Sequence, residues 1–237
     1  MALPIVNESS WYETQIKSTK QTVNFRPFLV KEQKILLIAS ESQDRKQIMN
    51  AICDTISACV REDIDVRKLP TFDVDYLFSQ IRGKSVGESS EIIIKCKSCE
   101  KDNPVTIDIT KAEVKGEFKD KIVKLTDNIS VEMTYPSYHS MASKLESLDD
   151  TTGNSSAIFD LLGACINAVL TEDEKILISE EPKEEVDTFI ESLTSDQFNK
   201  ISEFVTNFPK LSMDINFICE HCGENNNLTL EGLDDFF

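Results

Sequence analysis

Seven cysteines punctuate the chain, and four of them form two Cys-x-x-Cys pairs, Cys96-Lys97-Ser98-Cys99 and Cys219-Glu220-His221-Cys222. Two intervening residues let a tight turn aim both sulfurs to one side, which supplies two corners of a tetrahedron. Two such turns give four thiolates, the ligand set of a structural Zn²⁺. The stretch between the pairs, residues 100–218, exceeds the usual spacing in a zinc ribbon. Loop closure costs free energy that grows only logarithmically with length, so an inserted unit whose ends lie together is compatible with one shared site. Gly223, directly after Cys222, suits a turn that needs positive φ. Two rival readings stay open: a redox dithiol, which lacks a thioredoxin-like strand-to-helix setting here, and four free thiols. A centre with four thiolate ligands has no open coordination position, so it predicts structure and no hydrolytic chemistry.

Little else in the sequence offers reactive chemistry. There are two histidines. His221 lies between two proposed ligands and is expected to be exposed, and His139 is expected in a surface or packing role. Neither has an evident nucleophile or acid partner. Lys84-Ser85-Val86-Gly87-Glu88 fails the phosphate-loop template, because only Gly83 precedes the Lys-Ser. Paired acids such as Asp73 and Asp75, or Glu184 and Glu185, are expected on helices and solvated faces. Cys53 and Cys59 read as small buried packing residues of a helix, and Cys165 sits on the apolar face of another. The residues therefore describe a non-enzymatic interaction protein.

The elements that must position the cysteines alternate in type. Residues 11–28 read as a β-hairpin closed by Arg26-Pro27. Dense apolar residues from Val30 to Ser40 predict a buried helix, and Ile48, Ala51, Ile52, Ile56 and Val60 mark a second. Thr71 is the expected N-cap of a third, with Phe72, Tyr76, Leu77 and Ile81 apolar and Gly83 and Gly87 ending it. From Glu91 the pattern turns to strand. Ile92-Ile93-Ile94 leads into the first cysteine pair, Asn103-Pro104 turns, and Val105-Thr106-Ile107-Asp108-Ile109 returns. Further strands are predicted over 121–125 and 129–135. Residues 138–208 read as helical, with Ile158, Leu161, Leu162, Cys165, Ile166 and Val169 on one face. Leu211-Ser212-Met213-Asp214-Ile215-Asn216-Phe217 then alternates into Cys219, and Leu228-Thr229-Leu230 resumes a strand. The expected fold is α+β: an N-terminal hairpin and helical unit (1–88), a zinc-ribbon β unit in two halves (89–136 and 209–237), and an acidic helical insertion (137–208).

Charge separates the two ends of the chain. Residues 1–144 hold 21 acidic and 21 basic side chains, whereas 145–237 hold 21 acidic and 4 basic ones, so the net −17 arises entirely in the second part. Such a surface repels phosphate backbones and disfavours nucleic acid as a partner. A zinc-ribbon regulator remains a minor alternative, because Lys95, Lys97 and Lys101 flank the first pair. The longest apolar run, Ile35-Leu36-Leu37-Ile38-Ala39, is far short of the ~20 residues that span a bilayer. Residues 1–8 lack a basic region and a long apolar stretch, so no signal peptide and no membrane association are expected. With an odd number of cysteines, this points to a reducing cytoplasm instead of a disulfide framework.

Four stretches carry a family likeness. They are Phe25-Arg26-Pro27-Phe28-Leu29-Val30-Lys31-Glu32-Gln33-Lys34-Ile35-Leu36-Leu37, Leu69-Pro70-Thr71-Phe72-Asp73-Val74-Asp75-Tyr76-Leu77-Phe78, its continuation Gln80-Ile81-Arg82-Gly83-Lys84-Ser85-Val86-Gly87-Glu88, and the ending Leu230-Glu231-Gly232-Leu233-Asp234-Asp235-Phe236-Phe237. With these residues the chain resembles the T4-type bacteriophage baseplate proteins of contractile-tailed phages, best over 25–110 and 211–237. The resemblance implies a role in building the baseplate hub in the infected host's cytoplasm, with hub or tape-measure proteins as partners. It leaves open an assembly factor and a permanent subunit of the virion baseplate.

Overall fold

The structure, a computed structural model, describes residues 10–116, 118, 121–138, 140 and 154–236, apart from the side chains of 154–158, 160 and 234. The expectations for residues 1–8 and for His139 lie outside the described residues. The fold is α+β, and the chain divides into two compact units. One comprises residues 1–115 with 210–237, and the other comprises 116–209.

The first unit opens with a hairpin of β1 (Tyr12–Gln15) and β2 (Thr22–Phe25), followed by α1 (Val30–Ser42), α2 (Arg45–Cys59) and α3 (Thr71–Val86). Asp44 caps α2 by accepting from the Lys46 and Gln47 N–H groups. A buried ion pair ties the hairpin to the helices. Arg26 Nη2 lies 3.0 Å from Glu32 Oε1 and also donates to the Ala58 carbonyl, while Glu32 Oε2 accepts the Leu29 N–H at the start of α1. Asp73, fully buried in the first turn of α3, accepts the Lys17 and Ser18 N–H groups and so fixes the hairpin turn.

Four expectations for this region are corrected. Asp73 is fully buried and not on a solvated helix face, because its carboxylate meets the N–H groups of the hairpin turn. Pro70, whose φ and ψ are already extended, is the N-cap of α3, and Thr71 is its first helical residue. Gly83 lies inside that helix. Its missing Cβ makes room for Thr110, whose methyl would sit 2.5 Å from a side chain there, so α3 ends at Gly87 instead. Helix α1 forms, but of its apolar residues only Ala39 is buried. Val30, Ile35, Leu37 and Ile38 are exposed because only the Glu32 and Ala39 side of the helix faces the protein.

Two longer hairpins complete the unit. Strand β3 (Ser89–Lys95) pairs antiparallel with β4 (Asp102–Asp108), and β10 (Lys210–Ile218) pairs with β11 (Asn225–Glu231). Asn103-Pro104 is thus part of β4 and not a turn. A short strand, β5 (Glu113–Lys115), pairs with the start of β10, Lys115 facing Lys210. Ile107, Ile109, Leu211, Ile215, Leu230 and Phe236 form the core here, and Tyr76 of α3 packs against it. Residues 1–88 and the cysteine-bearing hairpins therefore form one unit, and the expected boundary at residue 88 dissolves.

The second unit begins at Gly116 and ends at Pro209. A Cβ at Gly116 would sit 2.8 Å from the Pro209 backbone, so the chain leaves and re-enters at one place. This unit has a four-stranded antiparallel sheet ordered β6-β7-β8-β9, from β6 (Ile122–Lys124), β7 (Ser130–Met133), β8 (Ile166–Leu170) and β9 (Lys175–Leu177). Helices α4 (Asn154–Cys165), α5 (Lys183–Glu191) and α6 (Ser195–Thr206) accompany the sheet, and Thr194 and Gln197 form a capping box on α6. The core gathers Val131, Met133, Leu162, Cys165, Ile190 and Phe204, with Tyr135 stacked on Phe204 at 5.3 Å. Strands β6 and β7 thus belong to the insertion and not to the ribbon, which moves its start from 137 to 116. Ile166 and Val169 are strand residues. The chain passes from α4 into β8 without a break, so a helical reading ran on too far.

Candidate metal centre

Each cysteine pair occupies the tip of one long hairpin. In the first, the Cys96 N–H donates to the Lys101 carbonyl and the Glu100 N–H returns to the Cys96 carbonyl. In the second, the Cys219 N–H donates to Glu224 and the Gly223 N–H to Cys219. The residue after the second cysteine has positive φ in both, 57° at Glu100 and 74° at Gly223. Glycine accepts this conformation freely and glutamate does not, yet the same knuckle forms.

The two tips bring all four sulfurs within 4.8 Å of one another. Cys96 Sγ is 3.7 Å from Cys222 Sγ, and Cys99 Sγ is 3.6 Å from Cys219 Sγ. Four thiolates around a tetrahedral ion at the usual Zn–S length of about 2.3 Å stand about 3.8 Å apart. The residues present therefore fit such an ion. Every sequence-predicted ligand is brought into this cluster, while Cys53, Cys59 and Cys165 are buried elsewhere. Burial pushes the Cys53 and Cys59 thiols up to about 11.

The electrostatics suit a cation. The Cys99 N–H foremost, with the Ser98 N–H and the Asn226 amide, holds the Cys96 thiol down at about 6. Burial works to raise Cys219, but the N–H groups of His221 and Cys222 outweigh it and the net direction is down. Cys222 goes the other way. The Glu224 N–H lowers it, but desolvation and the neighbouring sulfurs of Cys99, Cys219 and Cys96 push it up to about 12. Four thiols at this spacing cannot all ionise alone, and a divalent cation at their centre removes that conflict.

Two asparagines missed by sequence reasoning lock the tips together. Asn226, 2% exposed, accepts the Lys97 N–H of the opposite knuckle at 2.9 Å and donates to Cys96 Sγ at 3.4 Å. Asn103, 1% exposed, accepts the Glu220 N–H of the other knuckle at 3.0 Å. Each stands four residues beyond the second cysteine of its own pair, and each also donates to a carbonyl of its own turn, at Lys101 or Glu224. The site is thus a pseudo-twofold, reciprocal clasp. That shared offset of four was the available signal. His221 is exposed, its ring 3.2 Å from the Asp102 carbonyl and its N–H directed at Cys219 Sγ.

Fold and centre together define an α+β protein stapled at paired hairpin tips by a four-cysteine cluster that can hold a metal ion. The chain belongs to the T4 bacteriophage base plate protein family, whose sequence model matches residues 10–237. It is a phage baseplate protein, as the four resembling stretches imply. No curated protein and no solved structure matches it. Among the described residues, no helix is long and apolar enough to cross a membrane.

Proposed function

We propose that this protein acts in assembly of the baseplate hub, binding hub or tape-measure proteins in the cytoplasm of the infected host without catalysing a reaction. The observation that carries this reading is the closed character of the four-cysteine centre. Four thiolates fill a tetrahedral coordination shell and leave no position for water or substrate. Zn²⁺ bound by Cys96, Cys99, Cys219 and Cys222 supplies a cross-link between two hairpins. The surrounding N–H groups and the two asparagines hold the sulfurs ready for it.

Affinity capture of the tagged protein from infected cells, with identification of co-purifying tail proteins, tests the binding role. Recovery of hub or tape-measure components supports it, and their absence across the infection overturns it. The family's description favours a second reading, a permanent structural subunit of the virion baseplate. Proteomics of purified particles separates the two, since an assembly factor is absent from finished virions. Nucleic-acid binding is disfavoured by the net charge of −17. A salt-sensitive, sub-micromolar gel shift with DNA or RNA would favour the regulator reading instead.

A further inference from the structure

The 116–209 unit holds a cavity of about 220 Å³ between strands β8 and β9 and helix α5. Val169 and Ile176, direct partners across the two strands, line it together with Ile178, Val186 and Phe189. Two exposed carboxylates, Glu181 and Glu185, stand among these apolar walls and have no ion pair among the described residues. The nearby Lys175 is held by Glu132 at 2.6 Å. Over residues 172–191 the sequence has nine acidic and two basic side chains, so the surrounding field is strongly negative.

The size selects the occupant. Cofactor and drug-sized pockets run to roughly 300–1,000 Å³, whereas an apolar cavity of about 150 Å³ accepts a benzene ring. This one therefore suits a single large side chain. A second copy of the chain would bring another net −17 toward an already acidic face. We infer that this cavity is a docking site for a basic segment of another protein, which inserts one large apolar side chain while its lysines or arginines meet Glu181 and Glu185. The inference rests on the reading of the protein as a binder of other tail proteins and names the chemistry of the segment bound.

The test is fluorescence anisotropy on the full chain with a labelled short peptide that has a central phenylalanine flanked by lysines. Burial of that ring and the two charge contacts predict a loss of about tenfold or more when the phenylalanine becomes alanine. A comparable loss is expected when the protein carries Glu181→Gln with Glu185→Gln, and the affinity should fall with added salt. Val186→Phe, which fills the cavity, should abolish binding while the circular dichroism spectrum is unchanged. If that variant does not fold, the glutamine pair and the peptide series still decide the matter. Equal binding of all peptides, or binding indifferent to the glutamine substitutions, overturns the site. So does self-association by this face, seen as a dimer in sedimentation that the glutamine substitutions dissolve. Tail-protein capture that persists unchanged with the glutamine pair removes this site but leaves the hub-binding role standing.

Discussion

Glu32→Gln tests the joint that holds the N-terminal hairpin to its helices. The wild-type carboxylate is 3% exposed and sits 3.0 Å from the Arg26 guanidinium, whose own side chain is 14% exposed. Glutamine keeps the volume and an acceptor for the Leu29 N–H but removes the charge, which leaves a nearly buried cation unpaired. Breaking one side of such a pair costs about 3–5 kcal/mol. Because Arg26 retains the Pro27 and Ala58 carbonyls, the lower end, about 3 kcal/mol, is expected. That is a large fraction of the ~5–15 kcal/mol that stabilises a domain. The pH dependence supplies an independent check. Burial works to raise the Glu32 carboxyl, but the Arg26 contact and the Leu29 N–H outweigh it and hold it below its ordinary value of 4.5. Its stabilisation is therefore complete above about pH 4.5 and fades as pH falls through the lowered folded value. Asp73, raised by burial, contributes with opposite sign, so the difference between wild type and variant isolates Glu32. Urea unfolding, with hydrogen exchange at the Arg26 and Arg61 amides that join hairpin and α2, reads both effects. A loss under about 1 kcal/mol, or a variant that parallels wild type from pH 3 to 5, would refute the keystone role.

Other perturbations address the centre and its support. Asn103→Ala or Asn226→Ala should weaken metal retention about 10–100-fold in competition with a chelating indicator, as loss of groups that orient ligands does elsewhere; an unchanged midpoint would show the clasp to be incidental. Cys96→Ser should release the metal by elemental analysis, whereas Cys53→Ser, Cys59→Ser and Cys165→Ser should leave it bound. Cys53 and Cys59, with thiols near 11, should resist alkylation at pH 8 in the folded protein while the four cluster thiols become reactive after chelation, measured by mass spectrometry. Gly83→Ala should cost about 1–3 kcal/mol by thermal unfolding, because the new methyl must displace Thr110.

The cysteine cluster was legible in the sequence because its chemistry is local. Each Cys-x-x-Cys encodes its own turn, and four thiolates have few alternative uses. The asparagine clasp was legible only in its shared offset of four after each pair, because a lone buried asparagine that reaches across to another hairpin reads the same as one in a solvated turn. Element type was clear wherever one period ran uninterrupted, as in α2 and β10. It failed at the junction of α4 and β8, where Cys165 and Ile166 share an apolar run and no breaker marks the change. The three-residue strands β5 and β9 carry too few positions to show alternation. Helix α1 was misjudged in burial because hydrophobic density says nothing of which sides find a partner.

The placement of the two knuckles also sets an order in time. A ribosome adding about 5–20 residues per second takes roughly 6–25 s to travel from Cys99 to Cys222. Throughout that interval the first pair is half a binding site, with two sulfurs in hand and the entire 116–209 unit still to emerge. The strand that receives β5, and the asparagine that reaches Lys97, arrive only after that unit. Closure therefore waits until the second knuckle has been made. A polypeptide cut short before Cys219 has no means of clasping its hairpins, and a filled centre certifies that translation has passed Cys222.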